Sequence, residues 1–259
     1  MSSLKNKTIL VAGGAGFLGN ALCDLILSEE ANLCIADIDQ KKMHTTFDTL
    51  KKKYPDSKIH TTYLNMSDEE SINLCVDDCI NNFGNLSGLV NATFGTSSKK
   101  FEDLTAKDFN DSNAINLTGS FLLARSSAKK MSEGSSIVMY ASMYGIVSPK
   151  PTMYPEDINP NPIEYGAGKA GLIQVTKYLA AYYGPLNIRV NALAPGPFPN
   201  LKNADNKNSL FLNNLRESTM LGRLGEANEI AGPTVFLLSN ASSYITGHVL
   251  NIDGGWTAW

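Results

Sequence analysis

VAGGAGFLGN, residues 11–20, contains four glycines within seven residues and directly follows the apolar run TILVA (8–12). Glycine inside a regular element costs about 0.5–1 kcal/mol relative to alanine, so this cluster indicates that bare backbone is needed here. Glycines 14, 16 and 19 form the pattern Gly-x-Gly-x-x-Gly between a predicted strand and a predicted helix, the context that a dinucleotide-binding loop requires. A tight turn without a ligand is the alternative interpretation.

Asp37 stands at the end of the second predicted strand and completes this pattern. A turn without Cβ atoms lets a pyrophosphate approach the backbone, and the following helix N-terminus offers free N–H groups and a favourable dipole. The carboxylate of Asp37 can accept hydrogen bonds from the ribose hydroxyls of an adenosine, and it would repel a 2′-phosphate. The sequence therefore predicts NAD as the cofactor in preference to NADP.

Strand and helix patterns alternate along the whole chain. Predicted strands cover 8–12, 33–36, 58–63, 86–92, 135–141, 187–193 and 248–253, and predicted helices follow the glycine loop and cover 40–53, 67–84, 105–131, 165–183 and 226–239. Ser67 and Glu70 are predicted to form a capping box. This order predicts an α/β fold: one domain over 1–259 with a doubly wound, Rossmann-type parallel sheet and helices on both faces.

Composition excludes several other classes of protein. The chain has 259 residues, a net charge of −3, and 43% hydrophobic and 18% charged residues, which are ordinary values for a globular protein. Its longest basic run, Lys51–Lys53, is predicted to be a solvated helix end, so no nucleic-acid partner is expected. Four cysteines and three histidines lack metal-ligand spacing, so no metal site is expected. The absence of a signal peptide or membrane-span pattern predicts a cytoplasmic protein without a membrane partner.

Tyr165 and Lys169 lie four residues apart in a predicted helix, so both side chains would share one face. A neutral tyrosine is a poor base at pH 7 because its ordinary pKa is about 10. A nearby ammonium group and a nicotinamide cation would favour the phenolate and make the tyrosine a general acid/base for an alcohol or a carbonyl. An exposed surface pair is the alternative interpretation, but Ser142, at the end of the fifth predicted strand, supports a site.

These segments together resemble the short-chain dehydrogenase/reductase family over nearly the whole chain, from Leu4 to Gly255. The matching segments are AGGAGFLG (12–19), Asp37, INLTGSF (115–121), IVMYAS (137–142), Tyr165-x-x-x-Lys169, IRVNALAPG (188–196) and HVLNIDGG (248–255). The glycine spacing is similar to that of the extended branch, with Phe17 at the usual middle glycine. The closing Asp-Gly-Gly and the chain length resemble the compact branch, including gluconate-5-dehydrogenase-like and surface-sugar-modifying members.

The resemblance implies roles for individual residues. Tyr165 is the expected catalytic acid/base, Lys169 lowers its pKa and binds the nicotinamide ribose, Ser142 hydrogen-bonds the reacting oxygen, and Asn116 holds a water that relays protons. The expected cofactor-binding residues are Gly13, Gly14, Gly16, Phe17, Leu18, Gly19, Asp37, Ile38, Asn65, Met66, Asn91, Ala92, Thr93, Tyr165, Lys169, Pro195, Gly196 and Phe198. Asn65 and Asn200 stand where the family often has an aspartate and a threonine.

Two irregular stretches are expected to surround the substrate. Residues 146–164 carry five prolines and separate Ser142 from Tyr165 by more residues than is usual in the family; they are predicted to rim the pocket, with a surface or subunit contact as the alternative. Residues 196–220 are predicted to be a substrate lid. Polar residues near the predicted pocket favour a polyhydroxylated substrate: Tyr144, Tyr154, Glu156, Asp157, Asn159, Asn161, Glu164 and Asn200.

The leading hypothesis is an NAD-dependent oxidoreductase that acts on a hydroxyl or keto group of a sugar, sugar acid or polyol. The alternatives are a nucleotide-sugar epimerase or dehydratase that recycles its NAD, and a non-catalytic NAD-binding protein. The resemblance implies a homotetramer or homodimer formed through the predicted helices at 105–131 and 165–183 and the C-terminal segment. Trp256 and Trp259 are predicted to be buried at a subunit interface.

Overall fold

A computed structural model describes residues 3–156, 158–201 and 209–259 of the chain. Within these ranges the strands form one parallel seven-stranded sheet with the order β3-β2-β1-β4-β5-β6-β7. The strands are β1 (Thr8–Ala12), β2 (Asn32–Asp37), β3 (Ile59–Tyr63), β4 (Leu86–Asn91), β5 (Met131–Tyr140), β6 (Arg189–Pro195) and β7 (Val249–Ile252). The predicted α/β fold and its single domain are therefore confirmed.

The helices cover both faces of this sheet. They are α1 (Phe17–Ser28), α2 (Gln40–Lys53), α3 (Glu69–Phe83), α4 (Ala106–Asn113), α5 (Ser120–Ala128), α6 (Ile163–Tyr183), α7 (Ser209–Glu217) and α8 (Ala227–Leu238). Alternate residues of β1 show the two-sided burial: Leu10 belongs to a buried cluster with residues of α3, α5 and α6, whereas Ile9 belongs to one with residues of α1, α2 and α8. Burial on both faces explains why β1 is a continuous apolar run.

The direction of strand order reverses between β1 and β4. In doubly wound sheets the loops on the two sides of such a reversal diverge, and they leave a crevice at the carboxyl ends of the strands. The glycine loop follows β1 and residues 92–98 follow β4, so both segments border this crevice. The topology therefore places the predicted motifs along one edge of the sheet.

Three details of the predicted elements are wrong. The predicted helix 105–131 is divided into α4, a π-helical segment (Ala114–Gly119) and α5, and it ends at Ala128. Asp68 caps α3 by accepting a hydrogen bond from the Glu70 N–H group, whereas the Ser67 hydroxyl binds Asn65, so the predicted Ser67 capping box does not form. The stretch 196–220, interpreted as irregular, contains α7, because Leu212 and Leu215 on one helical face are buried.

Expectations about the cysteines, membrane-spanning helices and the two tryptophans can be compared directly with the structure. The four cysteines are free and buried. None of the helices within the described ranges has both the length and the apolar character needed to cross a membrane. Trp256 is buried within the chain, where it contacts the ring of Tyr144 at a centroid distance of 6.4 Å, whereas Trp259 is 70% exposed. The burial of Trp256 therefore does not depend on a second subunit.

Candidate active site

The glycine loop leaves the N-terminus of α1 open to a ligand. Gly16 caps this helix without a side-chain hydrogen bond, and the first turn contains no acidic residue. The first backbone bond of the helix runs from the Asn20 N–H group to the Gly16 carbonyl, so the earlier amides have no helical acceptor. A Cβ atom on Gly19 would overlap the Gly13 carbonyl oxygen, so only glycine lets α1 approach β1 this closely. These features fit an anion such as a pyrophosphate.

Asp37 lies beside this loop at the carboxyl end of β2. Its Oδ2 accepts a hydrogen bond from the Ala15 N–H group at 3.2 Å, and its Oδ1 accepts one from Asp39 N–H at 3.0 Å. Each carboxylate oxygen keeps a further lone pair, so Asp37 remains able to accept hydrogen bonds from two hydroxyls. The position and charge fit a ribose diol.

A cavity of about 640 Å³ opens where the carboxyl ends of β4, β5 and β6 meet α7 and the proline-rich insertion, residues 146–164. Ser142, Tyr165 and Lys169 all line it, as predicted for residues that act together. The remaining lining residues are Leu18, Ala92, Thr93, Phe94, Thr96, Ser98, Tyr140, Ala141, Met143, Tyr144, Tyr154, Ile158, Asn159, Pro160, Asn161, Pro162, Pro195, Gly196, Pro197, Phe198, Pro199, Phe211 and Leu215.

Lys169 is held in the floor of the cavity by two backbone carbonyls. Its Nζ donates to the Tyr140 oxygen at 2.8 Å and to the Thr93 oxygen at 3.2 Å, and it lies 5.7 Å from the centroid of the Tyr165 ring. Burial lowers the pKa of Lys169 to about 7, because the charged form loses its water. At neutral pH this amine can therefore both give and take a proton.

Tyr165 and Ser142 form the other part of this group. Burial raises the pKa of the Tyr165 phenol, and the neighbouring Ser142 side chain opposes that rise. The predicted lowering of this pKa is therefore not a property of the chain by itself, because the burial of the phenol outweighs the effect of the Ser142 hydrogen bond. The Ser142 Oγ accepts a hydrogen bond from the Tyr144 N–H group at 3.1 Å, which leaves its own proton to be donated to another group.

Asn116 lies in the π-helical segment, and its side chain is fully buried. Its Oδ1 accepts from the Gly95 N–H group at 2.9 Å, and its Nδ2 donates to the Gly95 carbonyl at 2.7 Å. Both ends of the amide therefore bind the chain that follows β4. The structure places Asn116 behind the cavity, and the water relay remains a prediction.

One wall of the cavity, predicted to contact the substrate, is built by the insertion and α7. The hydroxyls of Tyr144 and Tyr154 are hydrogen-bonded at 2.7 Å, and the Tyr154 ring contacts the Phe211 ring at a centroid distance of 5.2 Å. The Asn214 side chain donates to the Met153 carbonyl at 2.7 Å, which joins α7 to the insertion. Burial raises the pKa of the Tyr144 hydroxyl, so this pair is protonated and neutral.

Some of the polar residues that were predicted near the substrate pocket line the cavity, and others do not. Asn159 and Asn161 line it, whereas Glu164 is buried behind it and Glu156 is exposed. Asp157 lies outside the described residues, as does the part of the predicted lid from 202 to 208.

Two predicted cofactor contacts bind the protein's own groups. The Asn65 Oδ1 accepts from the N–H and hydroxyl groups of Ser67. The Asn91 amide binds Ser120 and Thr93 and is buried. Both side chains therefore shape the loops after β3 and β4, and a ligand would compete with these bonds.

Sequence reasoning missed part of the cavity wall. Phe94, Thr96 and Ser98 follow β4, and Phe211 and Leu215 lie on α7. The first three could have been found because they follow the carboxyl end of a predicted strand. The last two fall within the predicted lid 196–220, but neither was identified individually, because α7 itself was not predicted.

Comparison with known proteins agrees with this geometry. A family model described as enoyl-(acyl carrier protein) reductase matches residues 14–257. The chain is 31% identical to the post-translational flagellin modification protein A of Campylobacter coli, over 98% of this chain and 99% of that protein. It is 33% identical to the 2,5-dichloro-2,5-cyclohexadiene-1,4-diol dehydrogenase of Sphingobium indicum, over the whole of both chains. The solved structure of levodione reductase shares 30% identity with a TM-score of 0.86, over 98% of this chain and 99% of that one.

A match of this extent, together with the Ser142, Tyr165 and Lys169 group at the carboxyl ends of the strands, settles the family and the general class of reaction. The chain belongs to the short-chain dehydrogenase/reductase family, whose members are oxidoreductases that act on CH–OH groups with a nicotinamide cofactor.

Proposed function

We propose that this enzyme is an NAD-dependent oxidoreductase that interconverts a hydroxyl and a keto group on a polyhydroxylated compound such as a sugar, sugar acid or polyol. The observation that carries the proposal is a pair of hydroxyls, Tyr144 and Tyr154, in the same cavity as Ser142 and Tyr165. One of the two hydroxyl protons forms the hydrogen bond between Tyr144 and Tyr154. The pair therefore keeps one donor and several lone pairs for a second oxygen of the substrate.

The choice of NAD rests on Asp37. A carboxylate beside the glycine loop favours a ribose diol and repels a 2′-phosphate. The amides in the first turn of α1 would hold the pyrophosphate, and Lys169 would hold the nicotinamide ribose. When bound, the nicotinamide supplies the centre that accepts or donates the hydride.

The remaining roles follow from the protonation of the chain's own groups. Tyr165 with a raised pKa is protonated at neutral pH and is suited to donate its proton to a keto oxygen. Ser142 can donate its free proton to the same oxygen. Lys169, with a pKa of about 7, can return a proton to Tyr165 through solvent. In the oxidation direction the phenol must lose its proton, and the cationic Lys169 supports that loss.

A compact cyclic alcohol or ketone with an apolar ring is the second candidate substrate. Phe94, Phe198 and Phe211 line the cavity together with several prolines, which makes its wall more apolar than the predicted polar residues suggested. The name of the Sphingobium indicum relative refers to a ring diol, and the name of levodione reductase refers to a dione. A ring with two oxygens would use both the aromatic wall and the tyrosine pair.

Two proposals concern other aspects of the protein. An epimerase or dehydratase that recycles its NAD, or a non-catalytic NAD-binding protein, remains an alternative, which net formation of NADH would exclude.

We also propose a homotetramer or homodimer, supported by a groove of about 680 Å³ beside α5 and α6 in which Tyr178 and Tyr182 are largely exposed. Light scattering measures this state, and a monomer would contradict it.

The test is NADH formation across gluconate, sorbitol, glucose, UDP-glucose and trans-1,2-cyclohexanediol, with NADP in parallel. Tyr165→Phe is expected to lower kcat by about 10²–10⁴-fold, because it removes the proton donor and keeps the ring. Tyr244→Phe is the matched control, since the Tyr244 side chain is fully exposed and does not line the cavity. Turnover that survives Tyr165→Phe would contradict the assigned acid/base. Tight NAD binding without NADH formation would favour the recycling or non-catalytic alternatives.

A further inference from the structure

The chain that follows β4 is held at every second residue. Lys169 binds the Thr93 carbonyl, and Asn116 binds both backbone groups of Gly95. The third point is Ser97, whose N–H group and hydroxyl donate to Glu164 Oε1 at 3.0 and 2.8 Å. The first two anchors are predicted catalytic residues, whereas Glu164 has no assigned role.

The residues between these anchors face the cavity. Phe94, Thr96 and Ser98 line it together with Ala92 and Thr93. Gly95 and Ser97 do not line the cavity and are held from behind it by Asn116 and Glu164. The position of this wall is therefore set by the three anchors behind it.

Glu164 is an unusual residue for this position. Its side chain is fully buried, and Oε1 also accepts a longer bond of 3.4 Å from the Thr96 hydroxyl. Oε2 is buried and has no hydrogen-bond partner in the described part of the chain. A buried carboxylate costs free energy unless it makes compensating hydrogen bonds, so a half-satisfied one requires an explanation.

Glu164 joins three parts of the structure, which explains why a buried carboxylate is present at this position. It directly precedes Tyr165 at the start of α6, and its own carbonyl accepts a hydrogen bond from the Asn113 side chain of α4 at 3.3 Å. One residue thus connects the helix that carries Tyr165, the helix before Asn116 and the cavity wall. A displacement of the wall relative to Tyr165 would change where a substrate carbon lies.

We propose that Glu164 is a positioning residue that fixes the wall 94–98 relative to Tyr165 and so sets the fit of the substrate. The assignment rests on the proposed function of Tyr165. Glu164 does not line the cavity, so it acts through Ser97 and Thr96 and leaves the glycine loop unaffected.

The test compares Glu164→Gln, Ser97→Ala and the double variant with the wild type, in the full-length protein saturated with NADH. The first readout is hydrogen–deuterium exchange of residues 93–98, which needs no substrate. We expect exchange at Ser97 to increase at least tenfold in Glu164→Gln, because the neutral amide is the weaker acceptor and its NH2 group has no acceptor at the Oε2 position. Glu102→Gln, an exposed carboxylate just beyond this wall, is the control and should change nothing.

The second readout is steady-state kinetics with gluconate and trans-1,2-cyclohexanediol as probes. We expect KM for the probe that is turned over to rise about tenfold in Glu164→Gln, with the dissociation constant of NADH unchanged. Ser97→Ala should raise KM less than Glu164→Gln does. The double variant should have the same KM as Glu164→Gln, since both changes remove the same Ser97–Glu164 interaction.

Three outcomes distinguish failure of the Glu164 proposal from failure of the proposed function. Unchanged exchange at residues 93–98 in a folded Glu164→Gln variant overturns the proposal. Equal losses of NADH and probe binding also overturn it, because they indicate general damage to the fold. Turnover that survives Tyr165→Phe removes the proposed function, while the exchange result for the wall still stands.

Discussion

The two sides of the cavity are built in different ways. On the nucleotide side, the glycine loop and Asp37 follow directly from β1 and β2, and their hydrogen bonds join residues near the strand ends. On the substrate side, Tyr154 and Phe211 come from the insertion and from α7, and side-chain contacts join them. The first side is determined by backbone geometry, which sequence motifs describe well. The second is determined by packing between distant segments, so it can vary while the chemistry stays the same.

Lys169 lies where the two sides meet, and its removal should have the largest effect. Because its pKa is lowered to about 7 in the folded chain, the unfolded chain binds more protons between pH 7 and the ordinary lysine range. The stability of the cofactor-free wild type relative to Lys169→Met should therefore rise with pH above 7, by at most about 1.4 kcal/mol per pH unit.

Urea unfolding of both proteins at pH 6, 7, 8 and 9 measures this slope. Below pH 7 the difference should be constant, since Lys169 is then protonated in both states. Lys177→Met, at an exposed position on the same helix, is the control and should run parallel to the wild type. A flat difference up to pH 9 would show that the amine is solvated.

Gly19→Ala should damage only the nucleotide side. The new Cβ would overlap the Gly13 oxygen, so the loop must shift, and we expect a loss of about 1–3 kcal/mol in stability with loss of NADH binding. Gly184→Ala is the matched control, because a Cβ atom added there would meet open space. Fluorescence titration with NADH and urea unfolding measure both quantities. Wild-type NADH affinity in Gly19→Ala would contradict this account of the loop.

Asp37→Ser tests the charge on the nucleotide side. Removing the carboxylate should raise kcat/KM with NADP relative to NAD by about tenfold, which corresponds to about 1.4 kcal/mol. Asp39→Ser removes an exposed carboxylate two residues further on and keeps a residue that can cap α2, so its ratio should stay at the wild-type value. Equal ratios of kcat/KM with NADP to kcat/KM with NAD in the two variants would indicate that cofactor choice depends on the net charge of this region.

Tyr154→Phe is the smallest change and tests the substrate side alone. It keeps the ring against Phe211 and removes one hydroxyl of the pair, so we expect about a fivefold loss in kcat/KM, or about 1 kcal/mol, with NADH affinity unchanged. Tyr144→Phe and the double variant complete a cycle that measures the coupling. Strictly additive losses would indicate that the two hydroxyls bind the substrate independently.

Sequence reasoning located residues correctly where their position depends on local spacing. Ser142, Tyr165 and Lys169 line one cavity as predicted, because a strand end and a four-residue helical spacing leave little freedom. It was less reliable for polar side chains that bind other parts of the chain. Asn65, Asn91 and Glu164 were expected near a ligand, and in the structure they bind Ser67, Ser120 and Ser97, a choice that depends on which segments pack beside them.

Local sequence patterns specify the sheet, its glycine loop and the family, because apolar periodicity and short motifs involve residues close together in the chain. The wall formed by the insertion and α7 depends instead on tertiary packing. Helix α7 was hidden because asparagines interrupt its short apolar pattern, and it is stabilised by contacts of Leu212 and Leu215 with distant segments. Burial of Tyr165 and Lys169 likewise comes from the folded chain, and burial sets the direction of both pKa shifts, which no local pattern contains.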